Sequence, residues 1–216
     1  MIVSFEGAPA TGKTTICTHL AEDGAVRVPE VNALFERPAA ESATWYLERQ
    51  LDRWARAAHE SQRGRLALLD GDVLQPVWFA WMYPERCDAN WRANLAFFRE
   101  HRHALGAPDR HVVVRVPEAE RRRRELARSA ARGHDRARAM GKVARYETMA
   151  DALRRYFDGL AKALPELVHF VDADTLDAAV TAARSASRGS VPVTALLDAA
   201  ETWLERNPLH PRPAVR

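Results

Sequence analysis

Nine residues near the N-terminus carry the most specific chemistry in the chain: Gly7-Ala8-Pro9-Ala10-Thr11-Gly12-Lys13-Thr14, followed by Thr15. Two glycines flanking four residues let a loop fold so that successive backbone N–H groups point inward at anionic oxygens. A lysine directly after the second glycine reaches the β- and γ-phosphates of a nucleotide, and the hydroxyl beside it is placed to ligand Mg²⁺. The spacing predicts a nucleoside triphosphate site, for ATP with Mg²⁺, built from Gly7, Ala8, Pro9, Ala10, Thr11, Gly12, Lys13, Thr14 and Thr15. Of the 32 basic residues only Lys13, Lys142 and Lys162 are lysines. One of those three falls at the position the motif demands.

Transfer of a phosphoryl group needs more than a cradle: a metal carboxylate, a group that takes the acceptor's proton, and cations on the migrating charge. Asp70 closes the apolar run Leu66-Ala67-Leu68-Leu69 and is the expected Mg²⁺ carboxylate, directly or through water, together with Thr14. Glu30, after Val26-Arg27-Val28-Pro29, and Asp72 compete for the role of general base. Arg124, Arg128 and Arg132 recur every four residues and share one helical face, with Arg121 a turn earlier. Such a face can close over phosphates and neutralise charge as it develops.

The elements that must hold these groups are legible in the same pattern. Met1 to Phe5 reads as a buried strand, the loop follows it, and residues 14–22 read as a helix. Further strands are expected at 25–30, 65–70, 111–116 and 167–172, the last ending in Asp172. Helices are expected at 41–63, 76–82, 90–105, about 135–164, 176–187 and 194–206, with basic helical turns before the break at Gly133. Strands alternating with helices predict an α/β fold, a three-layer α/β/α sandwich around a five-stranded parallel sheet with an arginine-rich helical lid at about 117–138. Residues 1–206 are expected to form one domain, and the Pro-rich tail 207–216 to be extended. Ligands of such sheets sit at the carboxyl ends of the strands. That rule selects the glycine loop, Glu30, Asp70 with Asp72, the arginines, and Asp172 to Thr175.

Composition narrows the partners. The net charge is +3, while residues 115–138 alone carry nine arginines against four acids. The basic charge is therefore confined to one segment, unlike a surface that tracks a nucleic-acid backbone, and no nucleic-acid partner is expected. No apolar stretch approaches the roughly 20 residues of a membrane span, and the N-terminus is not expected to be a signal peptide. Two cysteines, Cys17 and Cys87, suit a cytoplasmic protein with free thiols. His101 and His103 are two apart and face differently on a helix, so no zinc site is expected there. Neither Lys142 nor Lys162 follows an asparagine, so the guanine-reading Asn-Lys-x-Asp cannot be built. Residues 45–98 hold ten of the 17 aromatics, and at least one ring of Trp78-Phe79-Ala80-Trp81 is expected to face the acceptor.

Taken together these residues resemble the P-loop kinases of the deoxynucleoside kinase and thymidylate kinase superfamily, from the first strand to about residue 180. Glu6 to Thr15 looks like their opening loop. Val28-Pro29-Glu30 is similar to the segment whose glutamate serves as base in deoxynucleoside kinases, and Val114 to Ala119 to their strand-then-lid passage. Tyr146 to Leu164 and Val171-Asp172-Ala173 look like their last long helix and the strand before the adenine-contacting loop. Those kinases carry an arginine directly after the strand-end acid, whereas here the run is Asp70-Gly71-Asp72. The resemblance implies an ATP-dependent phosphotransferase acting on a hydroxyl of a small molecule, most plausibly a nucleoside or nucleoside-like metabolite. An antibiotic-modifying kinase, and an ATPase or switch acting on a protein partner, stay open as alternatives. Self-association as a homodimer is also left open.

Overall fold

The structure is a computed structural model and describes residues 1–86, 90–172 and 176–209. Cys87, the residues 173–175 after the last strand, and residues 210–216 of the expected tail lie outside these. Five strands form one sheet: β1 (Ile2–Glu6), β2 (Val26–Val28), β3 (Ala67–Asp70), β4 (Arg110–Arg115) and β5 (Val168–Asp172). The order across the sheet is β2-β3-β1-β4-β5, and all four pairings are parallel. β1 and β3 are buried end to end, which is why both read as continuous apolar runs rather than alternating ones.

Helical crossovers cover both faces. On one, α1 (Lys13–Glu22) and α8 (Leu176–Arg184) pack Ile16, Cys17, Leu20, Ala179 and Ala183 against Val3, Phe5, Leu68, Val112, Val114 and Val171. On the other, α3 (Trp45–Gln62), α4 (Gln75–Met82), α5 (Trp91–Glu100), α7 (Arg136–Ala163) and α9 (Val193–Arg206) close over Ile2, Val28, Leu69, Val113 and Val168. Successive strand residues thus go to opposite cores, as the period of two requires. The expected elements are all present with ends shifted by a few residues. Three short features went unread: α2 (Val31–Leu34), too short for helical periodicity, the 3₁₀ turn Pro84–Arg86, and the 3₁₀ turn Arg102–Ala104 that replaces the end of the expected helix 90–105.

α6 (Glu118–Ala131) and α7 are separate because Gly133 turns the chain at φ +69°. Asp135 then caps α7, its carboxylate accepting from the Arg138 N–H at 2.8 Å. The first half of α7 packs on α6, while Ala152, Leu153, Tyr156, Phe157 and Leu160 bury its second half in the larger core.

β1 and β3 are neighbours, with Phe5 level with Asp70. Their outgoing connections leave toward opposite faces, α1 to one and α4 to the other. A crevice therefore opens between the two strand ends, where open α/β sheets hold their ligands.

Candidate active site

The glycine loop has the backbone its sequence demands. Gly7 sits at φ +139° and Gly12 at φ +98°, with Ala10 the one non-glycine at positive φ among the described residues. At Gly7 a Cβ would come 2.5 Å from the Val114 carbonyl oxygen, so only glycine fits between β1 and β4. The Thr11 hydroxyl donates to the Ala8 oxygen at 2.9 Å, and the Lys13 ammonium to the oxygens of Gly7 at 2.6 Å and Ala8 at 3.3 Å. α1 begins at Lys13 with no side-chain cap. Its first-turn N–H groups are thus donors without intrahelical partners at the positive end of a dipole, a ready anion site.

Opposite the loop stands Asp70, 1% exposed. Its Oδ2 accepts from the Thr14 hydroxyl at 2.9 Å and from Arg27 through Nη2 at 2.7 Å and Nε at 3.2 Å, while Oδ1 is buried with no hydrogen-bond partner. With its proton directed at Asp70, Thr14 Oγ1 keeps its lone pairs for a cation. A hydroxyl, a carboxylate and the phosphates of a nucleotide are the hard oxygen donors that Mg²⁺ takes, one or two of them from protein. Among the described residues, no group of three or more acidic, His or Cys side chains is arranged to hold a metal ion by itself. The residues present fit Mg²⁺ carried with a nucleotide.

Glu30 and Asp72 differ in placement. Glu30 lines the cleft beside Gly71, its Oε1 3.6 Å from where a Cβ on that glycine would lie; Gly71 itself takes φ +90°. Asp72 is 1% exposed, does not line the cleft, and donates its backbone N–H to Glu6 Oε1. Glu6 reaches the cleft from the end of β1. Burial first, and then the nearby Asp72 charge, push its carboxyl up to about 8. Behind the acids lies Arg53 of α3, fully buried. It donates to the carbonyl oxygens of Pro29 (2.7 Å), Asp70 (2.9 Å) and Gly71 (2.8 Å) and to Gln50 Oε1 (2.6 Å). One guanidinium thereby ties the end of β2 to the end of β3.

The cleft encloses about 1050 Å³ and runs from the loop past the acids to an apolar wall. Trp78, Phe79 and Tyr83 form that wall with Tyr146, Met149 and Leu153 of α7. Trp81 turns the other way, into the core, edge-on to Trp203 with ring centres 5.1 Å apart. Gln75 also faces the cleft and accepts the Tyr46 hydroxyl on its Oε1 at 3.1 Å. Arg124, Arg128 and Arg132 line the opposite side, Arg124 reaching the Thr11 oxygen at 3.4 Å. Arg124 is also paired with Glu120 at 2.7 Å and Arg128 with Glu125. Arg121 is buried and does not join them.

The structure thus brings the glycine loop, Glu30, Asp70 and the three arginines to one cleft, with Asp72 buried beneath it. Asp172 stands apart, mostly exposed and paired with Arg115 at 3.1 Å. Glu6, Arg27, Arg53, Arg145 and Tyr146 went unassigned in the sequence. Two of them left a signal: Arg27 interrupts two valines of a strand, and Arg53 falls on the same face of its helix as the apolar Leu47, Trp54 and Ala57.

A family model described as an AAA domain matches residues 2–158. No curated protein matches the sequence. Among solved structures, deoxyadenosine kinase from M. mycoides with bound dATP is similar at TM-score 0.51 and 15% identity, over 84% of this chain and 96% of that one. The same kinase with its products dCMP and a flexible dCDP is similar at TM-score 0.51 and 14% identity, with the same coverage. At these identities the likeness concerns the fold, a five-stranded parallel P-loop sheet with helices on both faces.

Proposed function

This chain belongs to the AAA domain family, and from that premise we propose that it is an ATP-dependent kinase that phosphorylates a hydroxyl of a nucleoside or nucleoside-like small molecule. Residues 1–206 act as one kinase domain, with 117–138 as its lid. One observation carries the reading: the phosphate loop, a strand-end acid pair and an aromatic-walled pocket share a single cleft. A switch that merely hydrolyses ATP for a protein partner needs no such pocket.

The loop amides and Lys13 hold the triphosphate, with Thr14 and Asp70 supplying the side-chain oxygens for Mg²⁺. Held by these two residues, Mg²⁺ would supply positive charge to offset that of the nucleotide's phosphates. Glu30, open to the cleft next to Gly71, accepts the acceptor's proton, a role worth about 10²- to 10⁴-fold in rate. Asp72 has no such access and instead fixes the turn through Glu6. Arg124, Arg128 and Arg132 stabilise the migrating phosphoryl group and exclude water. Trp78, Phe79 and Tyr83 offer ring faces on which a planar acceptor stacks. ATP consumption with mass-spectrometric product detection, across nucleosides, sugars and hydroxylated antibiotics, tests this; absence of phosphorylated product from every acceptor refutes it.

A further inference from the structure

Asp70 is a buried carboxylate, and a buried charge requires a counter-charge. Arg27 provides it from the neighbouring strand. It lies level with Leu68, two residues below Asp70, and an arginine side chain spans the roughly 6.6 Å that two strand residues rise. Its guanidinium places both Nε and Nη2 on the same oxygen, Oδ2, that receives the Thr14 hydroxyl. Side-chain exposure is 27% for Arg27 against 1% for Asp70, and Arg27 lines the cleft. The mobile partner is therefore the cation, and it has open space to move into. Position 71, directly after the acid, is glycine and offers no cation of its own.

We infer that Arg27 is a resident counter-cation on Asp70 that keeps free divalent ions off this carboxylate until a nucleotide brings the metal in. The inference rests on the proposed function, since it concerns the metal of the same site. A metal ion approaching Asp70 alone meets a positive charge already seated on Oδ2, with Oδ1 buried. A metal arriving with a triphosphate brings excess negative charge, to which the released guanidinium turns. Arg27 is thus a positioning residue that couples metal entry to nucleotide entry.

The test uses Mn²⁺ as the probe on the full chain, its binding read by electron paramagnetic resonance without nucleotide. Arg27→Met and Arg27→Gln remove the charge, Arg27→Lys keeps it, and Asp70→Asn removes the carboxylate. Mn²⁺ affinity at least tenfold tighter in both uncharged variants than in the wild type or Arg27→Lys, with the gain abolished when Asp70→Asn is added, is the expected result. Equal affinity in wild type and the uncharged variants overturns the inference. Calorimetry of Mn²⁺–ATP with the wild type separates the two levels. Binding there with unchanged free-Mn²⁺ affinities sinks the role of Arg27 alone, whereas no binding sinks the triphosphate site and the inference with it.

Discussion

Replacing Arg53 with methionine keeps the apolar stem and its volume but deletes a guanidinium that makes four hydrogen bonds with no exposure to solvent. Three main-chain oxygens and the Gln50 oxygen lose their donor. An orphaned buried acceptor costs about 1–3 kcal/mol, which sets a ceiling of about 12 kcal/mol for four of them. Two effects lower it: Gln50 can rotate, and the variant no longer buries a cation, whose desolvation already pulls the Arg53 pKa down. Removing one partner of a buried charged network typically costs about 3–5 kcal/mol, and that is the expected loss. For a chain of this size it lowers the melting temperature by about 10 °C. Urea unfolding followed by tryptophan fluorescence measures it. Arg53→Lys, with a point charge in place of a planar fork, is expected to recover less than half. Because the same guanidinium joins Pro29, next to Glu30, to Asp70 and Gly71, the variant's KM for the acceptor rises as well. A loss below about 1 kcal/mol refutes the clamp.

Lys13→Ala is expected to lower turnover by about 100-fold or more, the scale for removing one charge-stabilising donor, with an unchanged circular dichroism spectrum; near-normal turnover contradicts the site. Glu6 binds its proton more tightly in the folded protein than in the unfolded chain, so its contribution is full below the ordinary glutamate pKa of about 4.3. That contribution drains away as pH rises toward about 8. Urea unfolding at intervals across this range should show wild-type stability falling with pH relative to Glu6→Gln; parallel curves refute the protonated carboxyl. At Gly159 a Cβ would collide with the Trp203 indole, so Gly159→Ala is expected to cost about 1–3 kcal/mol by overpacking. Thermal unfolding checks it, and a stabilised variant rules out the close packing of α7 on α9.

The glycine loop was legible because its chemistry is local: eight consecutive residues specify the turn, the donors and the following helix. Strand-end acids were legible one at a time, since an apolar run closing on a carboxylate points to the rim of a sheet. Their division of labour was not. Glu30 and Asp72 separate only through burial, which depends on Glu6 rising from a different strand to hold the Asp72 amide. Arg27 and Arg53 act across strand and helix partners far away in sequence, and no periodicity encodes such a meeting. The three arginines at four-residue spacing did reach the cleft together, whereas Arg121, nominally on the same face, is buried at 3% exposure. The aromatic wall was foreseen as a class, and the choice of Trp78 and Phe79 over Trp81 was settled by Trp203, about 120 residues downstream.

The long helix α7 is anchored unevenly along its length. Its C-terminal half is buried around Leu153, Tyr156, Phe157 and Leu160, whereas its N-terminal half rests on α6 with mostly exposed residues from Arg136 to Ala144. Arg145, Tyr146 and Met149 line the cleft where the deeply buried half meets the more exposed one. On the other side of the cleft, Arg53 staples the ends of β2 and β3 to each other. A change in the width of the cleft therefore costs least on the α7 side, where fewer buried contacts have to be broken.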